Sequence, residues 1–182
     1  EEKLSKKINI KWIDFTQKTL RELSRSPKSV FTYDLKYYGK VIYGDTNVKK
    51  LIPNINSKEI LKSEIDILFS TRLWAFVGCF ENKSFGDITG EEARFFKNQM
   101  SKAILSLTDA LLIENKKYTT LYSEKIPQIK KHNKELYDLA KWAYKEKLEP
   151  AFGNMKSKEV QSLYLKVINL YFEVMISLIP ST

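Results

Sequence analysis

Hydrophobic positions after residue 56 recur every three or four residues, which is the period of a helix that buries one face. Four such segments follow one another with short polar links between them. We predict helices at residues 57–80, 90–114, 119–148 and 157–178. Four helices joined by short links favour an antiparallel four-helix up-down bundle.

Local signals agree with three of these boundaries. Ser57 and Ser157 stand where helix caps are expected, and Thr89 with Glu92 matches a capping box in which each residue serves the other's backbone amide. Pro127 falls inside the third segment, where a proline removes an amide donor. We therefore expect a kink or a new start within that segment.

The pattern before residue 56 is different. Residues 8–13 alternate apolar and polar positions, and residues 29–35 and 39–45 are rich in β-forming side chains, while residues 16–23 have a helical pattern. We predict a β-α-β-β segment at residues 1–56 and a helical bundle at 57–182. The fold class is thus mainly α with a small N-terminal α+β portion. So small a sheet cannot cover both faces, so it must pack on the helices, another chain or an upstream domain.

Composition narrows the class of protein. Hydrophobic residues make up 43% of the 182 residues, which is enough to form a core. Cys79 is the only cysteine, so an internal disulfide is excluded and a reducing compartment is indicated. No uncharged apolar stretch reaches the ~18 residues that span a bilayer. We expect no membrane partner and a cytoplasmic location.

The formal net charge is +9, and lysine supplies almost all of it. Such a charge attracts phosphates and polyanions over long range. A lysine-rich solvated surface that keeps the protein dispersed explains the same composition. The composition therefore permits a nucleotide or nucleic acid partner and does not require one.

The usual marks of a complete active site are missing from the sequence. One histidine and one cysteine cannot make a zinc site, and there is neither a glycine-rich phosphate loop nor a pair of metal-binding aspartates. We predict no catalytic residue, no metal ligand and no cofactor within this chain.

The polar stretch from Lys102 to Lys125 carries the candidate binding residues. Tyr118, Tyr122 and Lys125 are spaced i, i+4 and i+7, which places two phenols and an ammonium on one helical face. A cation beside aromatic rings suits a phosphate or a base. We predict Lys102, Tyr118, Tyr122 and Lys125 as nucleotide- or phosphate-binding residues. A tyrosine pair packed on the core with a flanking lysine is the alternative.

Two phrases resemble a known family. Residues 39–45, Gly-Lys-Val-Ile-Tyr-Gly-Asp, resemble the phrase that closes the catalytic half of DNA-polymerase-β-like nucleotidyltransferases and leads into a helical bundle. The spacing of Lys102, Tyr118, Tyr122 and Lys125 is similar to a pattern in that bundle. The resemblance implies a C-terminal region that holds a nucleotide or polynucleotide.

The family's Gly-Ser turn and metal-binding aspartates precede the matched region and do not occur in this sequence. The resemblance therefore implies that Mg²⁺ and the phosphoryl chemistry belong to a core outside this chain. The helical half also resembles HEPN-type bundles, including the C-terminal bundle of kanamycin nucleotidyltransferase. The ribonuclease motif of that group is missing, because no arginine precedes His132 more closely than Arg94.

Three functions stay open on the sequence. The first is the non-catalytic, nucleotide-binding part of a nucleotidyltransferase-like protein. The second is a non-enzymatic helical interaction module, which forms a homodimer or docks on an upstream domain. The third is a general nucleic-acid-binding bundle that uses the basic third segment.

Overall fold

The computed structural model describes residues 16–80, 85–151 and 153–178, and within these ranges the chain is mainly helical and has no strand. A short 3₁₀ turn at Ser57–Glu59 separates the first three α-helices from the five that follow. The α-helices are α1 (Leu20–Ser24), α2 (Val30–Tyr38), α3 (Val48–Leu51), α4 (Ser63–Phe80), α5 (Gly90–Glu114), α6 (Tyr122–Ile129), α7 (Lys134–Leu148) and α8 (Ser157–Leu178).

The predicted strand at residues 29–35 is wrong, because these residues form α2. Ser29 caps the helix by accepting a hydrogen bond from the Thr32 amide at 3.1 Å. The helical period also brings Tyr33 and Tyr37 together, with ring centroids 4.8 Å apart. A cap and an i, i+4 aromatic pair here outweigh the β propensity of the individual residues.

The predicted strand at residues 39–45 is also wrong. Ile42 and Tyr43 are almost fully exposed, and Gly44 has a φ of 94°, which turns the backbone out of an extended path. The predicted helix at 16–23 is present as the shorter α1, with a capping box between Thr19 and Glu22. The predicted strand at residues 8–13 lies outside the described residues.

The helix predicted at 90–114 is confirmed as α5, and it runs through the middle of the protein. It contacts α4, α6, α7 and α8. Apolar side chains on several sides of α5 are buried, among them Ala93, Phe96, Met100, Ile104, Leu107 and Leu112. A helix that is apolar over so much of its circumference forms the centre of a core rather than one wall of it.

The helix predicted at 157–178 is confirmed as α8, and the other two predicted helices are present with changed boundaries. The 57–80 segment begins as the 3₁₀ turn and becomes α4 only at Ser63. The 119–148 segment divides into α6 and α7. Pro127 lies inside α6, and α7 begins at its own cap, where Asn133 accepts a hydrogen bond from the Leu136 amide at 2.9 Å.

The three predicted caps act differently from the expectation. Asn56, and not Ser57, caps the 3₁₀ turn. The Thr89 side chain makes no capping hydrogen bond, and Glu92 instead donates its amide to the Thr89 carbonyl at 3.1 Å. The Ser157 hydroxyl donates to the Phe85 carbonyl. Glu159 accepts the Lys156 amide at 2.7 Å, so an acidic side chain in the first turn serves the start of α8.

Specific contacts join the ends of the long helices. Lys62, just before α4, pairs with Glu114 at the end of α5 at 2.8 Å. Ile88 and Met155 form an antiparallel β-bridge immediately before α5 and α8. In the core, the Tyr171 hydroxyl donates to the Phe69 carbonyl at 2.5 Å.

The small N-terminal helices pack onto the larger ones across the predicted boundary at residue 56. The Val30 amide donates to the Glu64 carboxylate at 3.0 Å, and the Leu61 amide donates to the Lys28 carbonyl at 3.0 Å. The Tyr37 hydroxyl donates to the Ile55 carbonyl at 2.9 Å. Contacts of this kind hold α2 on the bundle without the predicted sheet.

Across the described ranges, no helix combines the length and the apolar character that crossing a membrane requires.

Truncation of a central α5 side chain should destabilise the protein strongly. Leu107 is fully buried, so Leu107→Ala removes apolar contacts and leaves a cavity, and we expect a loss of about 2–5 kcal/mol in the free energy of unfolding. Urea denaturation followed by circular dichroism measures this change. Leu148→Ala, at the exposed end of α7, is the matched control and should cost less than about 0.5 kcal/mol. Equal losses in the two variants would contradict the assignment of α5 to the centre of the core.

Candidate functional site

Lys125 lies inside the protein, where a charged side chain needs a partner. The turn that precedes α6 places it there: Lys116 adopts a φ of 56° after the end of α5, and the Lys117 amide donates to the Leu112 carbonyl at 2.8 Å. These features reverse the chain and bring α6 back along α5. The Lys125 side chain is 3% exposed, and its ammonium is 2.6 Å from a carboxylate oxygen of Asp109 on α5.

Aromatic rings enclose the same ammonium. Its nitrogen lies 4.4 Å from the centroid of the Tyr118 ring and 4.9 Å from that of Tyr122, and it donates to the Tyr118 hydroxyl at 3.3 Å. Three of the predicted binding residues, Tyr118, Tyr122 and Lys125, are thus brought together. Tyr118 and Lys125 are buried, so they contact each other and the core rather than an open surface.

Asp34 on α2 extends this network to the N-terminal helices. The Tyr118 hydroxyl donates to the Asp34 carboxylate at 3.1–3.2 Å, and the Thr120 hydroxyl donates to the same carboxylate. The Tyr33 ring meets the Tyr118 ring edge-on with centroids 5.6 Å apart. We call Asp34, Asp109, Tyr118 and Lys125 the buried polar network. It joins α2, α5, α6 and the turn between the last two.

Burial controls the titration of these groups. Burial raises the pKa of Tyr122 to about 12, and the negative charges of Asp109 and Asp34 add to the effect. Burial raises the pKa of Tyr118 as well, with the same two acids as further causes. Burial also raises the pKa of the Asp109 carboxyl, and Lys125 acts against that rise. Both phenols are therefore neutral at physiological pH and are not general bases there.

Lys102, the fourth predicted residue, does not join the buried polar network. It lies on α5 and is half-buried, and its ammonium has no hydrogen bond or ion pair with any described residue. Burial lowers the pKa of Lys102, and the positive charges of Lys147 on α7 and Arg72 on α4 lower it further. Cations from two other helices thus oppose the positive charge of Lys102.

Arg72 connects this group of cations to the network. Burial raises the pKa of both the Asp109 carboxyl and the Tyr122 hydroxyl, and the positive charge of Arg72 acts against each rise. Its Nε atom is buried and has no hydrogen-bond partner. Buried guanidinium donors are nearly always paired, so an unpaired one is a position where an acceptor from a ligand fits.

We call Arg72, Lys102 and Lys147 the cationic cluster. Aromatic side chains lie next to it: the rings of Tyr122 and Tyr144 are 5.2 Å apart at an angle of 37°, and Tyr144 precedes Lys147 by one turn of α7. A cleft of about 450 Å³ opens beside Lys147, between the start of α5 and the end of α7. Its volume is in the range of small-molecule sites. The cleft is lined by Glu91, Arg94, Phe95, Asn98, Glu146, Lys147 and Pro150.

Sequence reasoning missed Arg72, Asp109, Tyr144 and Lys147. Arg72 is the only charged residue between Ile67 and Phe80, and Asp109 is the only charged residue between Lys102 and Glu114. A lone charge within an apolar helix is a signal that could have identified both. Nothing in the sequence distinguishes Tyr144 and Lys147 from the other tyrosines and lysines of α7. Across the described ranges, no group of three or more metal-binding side chains occurs.

Comparison of the chain with protein-family models, with curated proteins and with solved structures gave no match. The resemblance to nucleotidyltransferases and to HEPN-type bundles therefore stays a hypothesis that rests on the short phrases of the sequence.

Removal of the Tyr118 hydroxyl should destabilise the fold. Tyr118→Phe leaves Asp34 without one donor and Lys125 without one acceptor, and we expect a loss of about 1–3 kcal/mol in the free energy of unfolding. Tyr122→Phe is the matched control, since the Tyr122 hydroxyl has no hydrogen bond with the described residues. Chemical denaturation of both variants measures the difference. A Tyr118→Phe variant as stable as the control would show that the network contributes nothing to stability.

Proposed function

We propose that this chain binds a phosphate-bearing ligand, a nucleotide or the backbone of a polynucleotide, at the cationic cluster. One observation carries the proposal: Lys102 is half-buried and no described side chain neutralises it, while burial and then the charges of Lys147 and Arg72 lower its pKa. Holding like charges together in a half-buried place opposes folding. A bound anion would remove that cost and use the charges.

Asp109 does not remove the cost. Its carboxylate accepts a hydrogen bond from Lys125 at 2.6 Å. The buried polar network therefore uses this negative charge and leaves the cationic cluster with an excess of positive charge. The unpaired Nε of Arg72 provides a directed donor, and the two lysines provide mobile charges.

The tyrosines divide into two roles under this proposal. Tyr122 and Tyr144 lie beside the cations, where an aromatic face can stack on a base. Tyr118 and Lys125 support the site from behind, because they are buried in the polar network. Of the four residues predicted from the sequence, Lys102 and Tyr122 are the proposed contacts.

The resemblance to nucleotidyltransferases gives this binding a context. In that context the chain is the non-catalytic helical part of a larger activity, and a core outside it supplies the aspartates, the Mg²⁺ and the transfer chemistry. We also propose that α4, α5, α7 and α8 form the antiparallel up-down bundle expected from the sequence. The contacts of Lys62 with Glu114 and of Ile88 with Met155 support that arrangement. The cytoplasmic location stays part of this proposal.

Loss of the Lys102 charge should weaken phosphate binding. We expect the chain to bind ATP or tripolyphosphate, and Lys102→Ala to bind either about tenfold or more weakly, which corresponds to about 1.4 kcal/mol. Isothermal titration calorimetry at a fixed, low salt concentration measures the affinities. Lys131→Ala is the matched control, because it removes the same charge from an exposed position near the end of α6.

The controls separate the three functions. Equal weakening by Lys102→Ala and Lys131→Ala would show that only the net charge attracts the anion. A chain that binds RNA or DNA but no free nucleotide would favour the general nucleic-acid-binding bundle. In that case the affinity should fall as salt rises, with a slope that corresponds to the release of several counterions. Absence of all phosphate binding would favour the interaction module.

The stability of the free protein should respond to pH through Lys102. Its pKa in the folded state is below the ordinary value of 10.5, so the charged side chain opposes folding at neutral pH and stops doing so as pH rises toward 10.5. We therefore expect Lys102→Met to raise the free energy of unfolding at pH 7, and the difference from the unchanged protein to shrink between pH 7 and 10.5. Urea denaturation across this range measures it. A difference that grows with pH would contradict the assigned environment of Lys102.

A further inference from the structure

The cleft between the start of α5 and the end of α7 is bounded by the chain that follows α7. The Ala151 amide donates to the Glu146 carboxylate at 3.0 Å, and the Ala151 carbonyl accepts a hydrogen bond from Lys97 of α5 at 3.1 Å. These two bonds hold the end of α7 and the residues after it against α5. The cleft of about 450 Å³ is therefore bounded by backbone that hydrogen bonds keep in place.

The charges that line the cleft are balanced, unlike those of the cationic cluster. Arg94 pairs with Glu91 at 2.7 Å, and the other two charged lining residues, Glu146 and Lys147, have opposite signs. A chain of phosphates placed in the cleft would face two carboxylates, so the cleft does not suit one. An uncharged group with hydroxyl or amino hydrogens suits it, because an ionised carboxylate only accepts hydrogen bonds.

Two polar side chains in the cleft have hydrogen-bonding capacity to spare. Glu146 is only 9% exposed, and the Ala151 amide uses its Oε1 atom. Its Oε2 atom accepts no hydrogen bond from any described residue. Asn98, which lines the cleft from α5, is half-buried and has no hydrogen bond within the described part of the chain. Buried polar groups are nearly always paired, so these two are suited to the polar groups of a ligand.

One face of α5 connects the cleft to the cationic cluster. Phe95, Asn98 and Lys102 are separated by three and four positions, so they lie in line along the helix. Phe95 and Asn98 line the cleft, and Lys102 follows one turn later, about 10 Å along the axis from Phe95. Lys147 lines the cleft from α7, and its positive charge adds to the effect of burial on the pKa of Lys102. The cleft and the cationic cluster are therefore continuous.

Phe95 supplies an exposed aromatic ring at the end of the cleft away from Lys102. It is 52% exposed although it lines the cleft. Stacking of a base on an aromatic side chain contributes about 1–3 kcal/mol. The rings of Tyr122 and Tyr144 are the other stacking position, but they already contact each other and pack on the core. Phe95 therefore offers the more accessible face.

We propose that the cleft binds the nucleoside half of a single ribonucleotide while the cationic cluster binds its phosphates. The inference rests on the proposed phosphate site and extends it into the cleft. The base stacks on Phe95, the ribose hydroxyls donate to Glu146, and the phosphates contact Lys102 and Lys147. Base, sugar and phosphate thus follow one another as the aromatic ring, the acceptor and the excess charge do. The backbone of a polynucleotide carries a charge at every nucleotide and would bring phosphate against the two carboxylates.

Isothermal titration calorimetry of the whole chain tests the cleft with two probes, ADP and inorganic pyrophosphate, at one low salt concentration. We expect ADP to bind roughly tenfold or more tightly than pyrophosphate, because only ADP carries a nucleoside. Phe95→Ala should weaken ADP binding about tenfold and leave pyrophosphate binding unchanged. Phe31→Ala is the matched control: it removes a similarly exposed ring from α2 and should change neither affinity. Circular dichroism checks that each variant keeps its helix content.

The sugar contact has its own test. We expect 2′-deoxy-ADP to bind roughly tenfold more weakly than ADP, because it lacks a hydroxyl that donates to a carboxylate. Glu146→Gln should remove most of this preference, while its amide oxygen still accepts the Ala151 amide. Glu149→Gln removes the same charge from an exposed position just after α7 and should keep the preference.

Equal affinities for ADP and pyrophosphate would overturn the proposal, and so would ADP binding that Phe95→Ala leaves unchanged. An ADP preference that survives in Glu146→Gln would overturn the ribose contact. In each of these cases, weaker pyrophosphate binding by Lys102→Ala would still support the phosphate site, so the cleft and the proposed function fail separately. Absence of binding by both probes would overturn both.

Discussion

Lys125 and Asp109 form an ion pair inside the protein, where removal of either charge from water costs several kcal/mol. Such a pair is tolerated only when hydrogen bonds and close contacts surround it. Tyr118 supplies a hydroxyl and a ring to the ammonium, Tyr122 supplies a second ring, and Asp34 accepts the Tyr118 hydroxyl. The position of α6, the turn before it and the docking of α2 are all required to complete this set of contacts. The pair therefore constrains how the N-terminal helices meet the bundle.

The same ion pair influences the charges around it. The carboxylate of Asp109 is engaged with Lys125, so it does not neutralise the positive charges of Arg72, Lys102 and Lys147. The charge of Lys102 then lowers the stability of the free protein, whereas the same charge favours binding of an anion. A protein selected for stability alone would replace it, so its presence is the physical basis for proposing an anion site there.

The two sides of helix α4 have different surroundings. Its inner side contributes Phe69 and Phe76 to the core and Arg72 to the cationic cluster, and its outer side presents Trp74 to solvent.

The sequence by itself determined the long helices, because a repeat of three to four residues is a local property that burial of one face enforces. It also placed Tyr122 and Lys125 one turn apart, whereas Tyr118 lies in the turn before α6, so the predicted helical face shared by all three is wrong. It could not determine that Asp109 would contact Lys125 or that Asp34 would contact Tyr118. Only the tertiary structure decided this, since those acids are 16 and 84 residues away from their partners along the chain. It also decided against the strand at 29–35: β propensity is weak where a Ser29 cap and packing of Tyr33 on the core favour a helix. The cationic cluster of Arg72, Lys102 and Lys147 arises from the packing of three helices, which no local pattern encodes.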